Sequence, residues 1–226
     1  MDYILSRPDI ILRLLGQHLF MTVTALLIST SIALPLSMVL LRSERAASAV
    51  LGVLGVLYTI PSIALLILLL PLFGLNQNSV IVALVLYTQI ILVRNMVAGL
   101  RSVPAATLEA ATGVGMSSWQ RWYRVQLPLA LPVILAGIRL ATIVAISIAT
   151  IGAKFGAGGL GTLLFDGIAQ NRYDKIVAGA VVVGLLALLL NRLLLLAETR
   201  FDPLKHVEPS EFARSCADLF LPKGVQ

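Results

Sequence analysis

The residues whose types and spacing are most specific in this chain lie in a polar, basic segment, residues 109–128, between long apolar runs. Pro104 suits the first turn of a helix, and Gly115 permits a sharp bend or a close backbone approach. Pro128 disfavours a helical residue at Leu127. We therefore predict a finger of two short helices on the membrane surface, bent at Gly115, with the second helix ending before Pro128. The sequence contains no HExxH, P-loop or GxSxG motif, so no catalytic motif competes with this segment.

The spacing in this segment resembles the signature of ABC importer permeases: Glu-Ala-Ala, three residues, Gly, nine residues, a β-branched apolar residue, any residue and Leu-Pro. Here it reads Glu109-Ala110-Ala111, Gly115, Val125 and Leu127-Pro128. The resemblance implies that residues 104–128 form a coupling loop that docks into a groove of a cytoplasmic ATPase subunit. It assigns ATPase coupling to Glu109, Ala110, Ala111, Gly115, Met116 and Ser117. The alternative is an ordinary amphipathic surface helix.

The same resemblance implies a structural role for each residue of the Glu-Ala-Ala and Gly pattern. Glu109 is expected to anchor the finger through a hydrogen bond or an ion pair. Ala110 and Ala111 would permit close helix packing, and Gly115 would make the bend that enters the groove.

Composition places the chain in a membrane independently of that resemblance. Hydrophobic residues make up 58% of the 226 residues and charged residues only 12%, with a mean hydropathy of +0.96. A soluble domain carries about a quarter charged residues.

A single cysteine, Cys216, excludes an intramolecular disulfide and a Cys-based metal cluster. We interpret the net charge of +6 as membrane orientation charge rather than a nucleic-acid footprint, and we expect no cofactor and no metal.

The apolar runs predict an all-α polytopic membrane protein with about five transmembrane helices, since one span needs about 20 apolar residues. The predicted domain is 1–203, followed by a polar cytoplasmic tail, 204–226. Its predicted spans are 17–41, 47–72, 79–99, 131–151 and 176–197.

Polar residues inside the predicted spans are candidates for a substrate pathway. A proline in mid-membrane frees backbone carbonyls, which then need partners or a water-filled cavity. The pathway candidates are Tyr58, Thr59, Pro61, Ser62, Tyr87 and Gln89. For the proline the alternative is a kink that serves packing, and for Gln89 it is a hydrogen bond between helices.

Two further features leave alternatives open. Arg139 lies inside a predicted span, where a charge marks a functional site by default, but near its end, where snorkelling to the interface is the other interpretation. Residues 156–161 match GxGxxG by letter, yet they follow a membrane span rather than a strand. We therefore expect these glycines to allow tight turns and close backbone approach rather than to bind a dinucleotide.

The distribution of positive charge predicts the orientation. Eleven of the 17 Lys and Arg residues lie on the side of the 94–128 loop and the C-terminus, five lie on the other side, and Arg139 is left out as intramembrane. The positive-inside rule then places the loop and C-terminus in the cytoplasm and the N-terminus outside.

The substrate class follows from a second resemblance. Residues 58–74 look like the TIPSLALL…PLFG run of glycine betaine, carnitine and choline permeases, and residues 195–200 are similar to their last-helix terminus. The GAGGLG stretch also resembles permeases for methionine, phosphonate and osmoprotectants, although Lys154-Phe155 before it departs from them. The close alternative is a methionine or other amino-acid permease.

The family resemblance implies an inner-membrane importer with alternating access. Its partners would be a separate ATPase subunit that hydrolyses ATP, a second permease subunit (a second copy or a paralogue), an extracytoplasmic binding protein and the lipid bilayer. An ATP-independent channel or secondary transporter would need acids inside the spans or an internal repeat, and an intramembrane enzyme would need paired catalytic groups. The predicted spans contain no Asp or Glu. An assembly scaffold would leave the Glu-Ala-Ala spacing unexplained.

Overall fold

The structure is a computed structural model that describes residues 6–201, and within them every regular element is a helix. The all-α prediction is therefore confirmed, while the predicted tail 204–226 lies outside the described residues. The α-helices are α1 Pro8–Leu40, α2 Glu44–Thr59, α3 Ser62–Phe73, α4 Gln77–Arg101, α5 Ala105–Gly113, α6 Ser118–Arg121, α7 Leu127–Gly152, α8 Gly161–Ala169 and α9 Tyr173–Arg200.

Among residues 6–201, four helical stretches are long and apolar enough to cross a bilayer, and a bent pair of helices makes a fifth if it counts as one span. The stretches are α1, α4, the continuous run Ser118–Phe155 that contains α7, and α9. The predicted spans 79–99, 131–151 and 176–197 fall inside α4, α7 and α9, whereas α1 begins earlier than predicted, at Pro8. The residues at which each helix enters the membrane, and the side of each terminus, stay predictions.

The second span differs from its prediction. Instead of one helix over 47–72, the chain forms α2 and α3, which meet at an angle of 93°. The cause is Pro61, because a residue before proline is driven out of the helical region. Ile60 accordingly has φ −63° and ψ 126°. The break exposes the carbonyl of Ile60, and the Tyr87 hydroxyl donates a hydrogen bond to it.

Helix α4 lies at the centre of the bundle, with its most extensive contacts to α7 and α1. Polar contacts within an apolar interface hold α1 against α4. The hydroxyls of Ser29 and Thr88 are 2.7 Å apart, and Gln89 Nε2 donates to the Ser29 carbonyl at 3.2 Å. Such hydrogen bonds stabilise helix pairs where no hydrophobic effect can. Ser29 is therefore a point of contact between α1 and α4.

The predicted end of the second finger helix before Pro128 is wrong. Helix α6 continues through a π-helical turn, Trp122–Gln126, directly into α7. Leu127 keeps helical angles, φ −65° and ψ −48°, and its N–H donates to the Trp122 carbonyl five residues earlier. Pro128 is the second residue of α7 and directly follows this π-helical turn, so the proline lies within one continuous helical run. The finger is thus joined rigidly to α7.

Candidate functional site

The finger, residues 105–121, is a helical hairpin closed by a glycine cap. The N–H of Met116 donates to the Ala111 carbonyl at 3.1 Å, and the N–H of Gly115 donates to the Thr112 carbonyl at 2.9 Å. This pair of bonds with a left-handed residue between them is the Schellman motif, which ends a helix without orphan carbonyls. Gly115 supplies that residue with φ +82°. The bend predicted at Gly115 is confirmed, and its cause is a helix cap.

The second half of the finger is fixed by its own cap and by a cross-link. The Ser117 hydroxyl accepts from the Gln120 N–H at 3.3 Å, and Gln120 Oε1 accepts from the Ser117 N–H at 2.9 Å. This reciprocal pair is a capping box. Arg121 Nη1 then donates to the Thr112 hydroxyl at 2.7 Å, which ties the second helix of the finger to the first. The finger therefore holds its shape through its own contacts.

The six predicted coupling residues differ in their exposure to solvent. Glu109, Ala110, Gly115 and Ser117 are exposed, Met116 is half-buried, and Ala111 is buried within the subunit. Within residues 6–201 the structure gives Glu109 no hydrogen bond and no ion pair. The predicted anchoring contact of Glu109 is thus not found among residues 6–201, where its side chain is exposed. Ala111 packs inward instead, where its carbonyl takes part in the glycine cap.

Replacing Gly115 with Val should open the finger without unfolding the bundle. A β-branched residue at φ +82° costs about 1–2 kcal/mol, which raises the population of open finger roughly 5–30-fold. Trypsin should then cleave at Arg121 and Arg124 correspondingly faster in detergent. Gly113→Val is the matched control, because a side chain added at Gly113 meets open space and no positive φ. Equal cleavage rates in the two variants would contradict the role given to the cap.

Five of the six predicted pathway residues lie around one cavity of about 360 Å³. It forms where the α2–α3 break faces α4 and α7, and the predicted residues that line it are Tyr58, Thr59, Pro61, Ser62 and Tyr87. The rings of Tyr58 and Tyr87 are 5.5 Å apart at an interplanar angle of 67°. This is the edge-to-face arrangement that aromatic pairs favour. The proline break thus lies at the edge of this cavity.

Gln89 does not line that cavity. Its side chain is 6% exposed and turned towards α1, where it bonds Ser29. The interhelical alternative therefore describes Gln89, and the pathway assignment does not. Conversely, the α7 side of the cavity was missed from sequence, because its lining is mostly apolar. That side consists of Ile143, Val144, Ser147 and Ile148.

The glycine-rich stretch after α7 folds as expected of tight turns. Gly156, Gly158 and Gly159 have φ of 76°, 73° and 80°. The N–H of Gly159 donates to Gln17 Oε1 of α1 at 3.0 Å, and a Cβ on Gly158 would run into the same side chain. The prediction of close backbone approach is confirmed here.

A group of three or more His, Cys, Asp or Glu side chains placed to hold a metal is not found among the described residues.

Arg139 is paired within the subunit. Its Nε lies 3.1 Å from Glu198 Oε2, and its Nη1 donates to Asn191 Oδ1 at 3.4 Å. Glu198 belongs to α9, which extends past the predicted end of the last span at 197. Arg139 and Glu198 are both about three-quarters buried, so each neutralises a charge that would be costly in an apolar setting. The pair fastens α7 to α9.

Comparison with known proteins identifies the family. Residues 25–206 match the family described as binding-protein-dependent transport system inner membrane component. The chain belongs to this family of ABC importer permeases. The chain is 34% identical over 83% of its length to the glycine betaine/carnitine/choline transport system permease protein OpuCB of Bacillus subtilis, covering 87% of that protein. It is 40% identical over 85% of its length to the osmoprotectant import permease protein OsmW of Salmonella typhimurium, covering 92% of it.

Solved structures of low sequence identity show the same fold. An inward-facing structure of the MetNI methionine ABC transporter matches 87% of this permease and 98% of its own chain with a TM-score of 0.78 at 20% identity. A crystal structure of an amino acid ABC transporter with histidines gives a TM-score of 0.71 at 21% identity, over 88% of this chain and 97% of its own. The family membership makes this permease a multi-pass component of an inner membrane transport system that works with a binding protein.

Proposed function

We propose that this permease moves osmoprotectants such as glycine betaine, carnitine or choline into the cell, driven by a separate cytoplasmic ATPase subunit. Two copies of the permease, or one copy and a paralogue, would surround the path. The observation that carries the substrate class is the similarity to curated permeases of these compounds, 34–40% identical over more than four-fifths of the chain. The methionine transporter is similar in fold at 20% identity and carries no argument about substrate.

The aromatic pair beside the α2–α3 break supports this substrate class. Quaternary ammonium groups bind over aromatic faces through cation–π attraction. Tyr58 is 42% exposed, packs edge-to-face with Tyr87 and lines the cavity together with it. The Tyr87 hydroxyl is engaged by the Ile60 carbonyl, which fixes the ring without using its π face. Tyr58, Thr59, Pro61, Ser62 and Tyr87 are the residues that we assign to the pathway.

The finger supports coupling to an ATPase because both of its ends lead into helices that line the cavity. Before the finger, α4 carries Tyr87, and after it the unbroken helical run Ser118–Phe155 carries Ser147. Gln126 Nε2 donates to the Leu100 carbonyl at 3.1 Å, which ties these two connections together. A displacement of the finger by a closing ATPase dimer would therefore tilt α4 and α7 together and open the cavity to the other side. We assign the docking contact to Glu109, Ala110, Ala111, Gly115, Met116 and Ser117.

Uptake tests the substrate class. The gene should be deleted from its host and restored on a plasmid, and uptake of radiolabelled glycine betaine and methionine compared in osmotically stressed cells. The proposal expects restoration of betaine uptake and no effect on methionine. Restored methionine uptake with unchanged betaine uptake would contradict the substrate class while leaving the family unaffected.

A further inference from the structure

A second cavity, of about 470 Å³, lies next to the aromatic one. Tyr58 lines both cavities, and the others that line the second are Gly55, Ile90, Ile91, Arg94, Asn95 and Leu140. The volume falls within the range of small-ligand sites, roughly 300–1,000 Å³. Because the side chain of Tyr58 lines both spaces, the two cavities adjoin each other.

Helix geometry places the aromatic group and the cationic group that line these two cavities on the same face of α4. Tyr87 and Arg94 are seven residues apart on α4, with Ile90 and Ile91 between them. Residues at i, i+3, i+4 and i+7 share one face of a helix, and seven residues span about 10 Å. The same face of α4 therefore presents an aromatic ring at the first cavity and a guanidinium at the second, nearer to the finger.

The guanidinium of Arg94 has no partner of its own within the part of the chain that the structure describes. Arg94 is exposed, and neither a hydrogen bond nor an ion pair is found for it in residues 6–201. Arg139, by contrast, is paired with Glu198 and Asn191. The neighbour Asn95 donates to its own helix, at the Ile91 carbonyl. The guanidinium of Arg94 lines the second cavity and is therefore available to an anionic group that enters it.

We propose that Arg94 binds the carboxylate of a zwitterionic substrate during its passage, and so favours betaine-type over choline-type compounds. The inference rests on the proposed function. A trimethylammonium group next to Tyr58 and a carboxylate next to Arg94 would satisfy both ends of glycine betaine or carnitine. Choline has no carboxylate to offer, and its positive charge is repelled by the guanidinium. Arginine suits the task because its planar fork matches a carboxylate.

The test uses the complete transporter, with ATPase and binding protein, in proteoliposomes. The maximum rates of ATP-driven uptake are measured for glycine betaine and for choline. Arg94→Gln should lower the betaine rate about tenfold, since a charge-assisted hydrogen bond is lost. Arg94→Lys should stay within about threefold of wild type, since the charge is kept. Arg101→Gln, at the exposed end of α4, is the matched control and should leave both rates unchanged.

Several outcomes would overturn the assignment of Arg94. They are an unchanged betaine rate in Arg94→Gln, equal losses in the Gln and Lys variants, and an equal fall of the betaine and choline rates. A choline rate that holds or rises while the betaine rate falls supports it. A wild-type transporter that imports neither compound would instead refute the proposed function, and the inference with it.

A pair of glycine variants tests whether the second cavity lies on the path at all. A Cβ on Gly55 meets no atom within 4 Å, so Gly55→Leu would fill the cavity beside Arg94 without disturbing the fold. Its uptake rates should fall at least about tenfold for both compounds. Gly52→Leu, one turn earlier on α2 and equally free of contacts, should transport as wild type. Equal rates in the two variants would remove the second cavity from the path and overturn the role of Arg94.

Discussion

Replacing Glu109 with Lys should abolish uptake while the permease still inserts and folds. Glu109 is exposed on the finger, and reversing its charge removes no contact within the described part of the subunit. At a docked interface, loss of one partner of a hydrogen-bonded charge pair costs roughly 2–5 kcal/mol. The ATPase subunit that co-purifies with tagged permease in mild detergent should therefore fall at least about tenfold. Uptake should fall by at least the same factor.

The control for Glu109 is another exposed acid far from the finger. Asp166→Lys on α8 reverses the same charge and should leave the co-purified ATPase at the wild-type ratio. Glu109→Gln, which keeps an acceptor but loses the charge, should lie between wild type and Lys. Full ATPase retention and full uptake in Glu109→Lys would remove Glu109 from the coupling site.

The second large effect is expected at Gly137, where α7 crosses α4. A Cβ built on Gly137 would stand 2.5 Å from Asn95 Cβ and 3.0 Å from Asn95 Cγ. Because Cβ is fixed to the backbone, the two helices must separate to admit a side chain. Overpacking costs about 1–3 kcal/mol for small insertions. Gly137→Leu should therefore lower the thermal midpoint of the detergent-solubilised permease sharply, and it should displace α4 together with Arg94.

A matched glycine separates this steric effect from the cost of a new apolar surface. Gly184 on α9 is helical and exposed, and a Cβ there meets nothing within 4 Å. Gly184→Leu should therefore keep the wild-type midpoint in a thermal scan monitored by size-exclusion chromatography. Asn95→Gly, which removes the opposing Cβ, should partly restore Gly137→Leu. If Gly137→Leu and Gly184→Leu melted together, the close α4–α7 contact would be refuted.

The features that sequence could predict are those set by local chemistry. Apolar runs predicted the helical bundle, because backbone groups in lipid must be bonded within their own helix. Gly115 predicted the bend, since its φ of +82° suits a residue without a Cβ. Pro61 predicted freed carbonyls, and the structure shows the break and its partner Tyr87. The angle of 93° between α2 and α3 could not be predicted from the sequence, because it depends on the helices against which α2 and α3 pack.

The features that sequence missed depend on neighbours far along the chain. Pro128 predicted a helix end, but the π-helical turn before it lets the chain run on into α7. Gln89 and Arg139 are polar residues in apolar runs. Their residue types alone do not show whether a neighbouring helix supplies a hydrogen-bond or ion-pair partner. The Ser29 carbonyl accepts from Gln89 Nε2, and Glu198 pairs with Arg139. The sequence places Arg94 with the cations of the 94–128 loop. Its position in the same cavity as Tyr58 depends on how α2 packs against α4, which the sequence does not show.

The most direct measurement of the central claim is cross-linking from the finger. In a Cys216→Ser background, Ala110→Cys places a reactive thiol on an exposed position of the finger, and Gln170→Cys places one at the exposed end of α8. Each is labelled with a benzophenone maleimide in membranes that contain the whole transporter, then irradiated. The account predicts a cross-link to the ATPase subunit from position 110 and none from position 170. A cross-link to the ATPase from position 170, with none from position 110, would contradict both the coupling role of the finger and its cytoplasmic orientation.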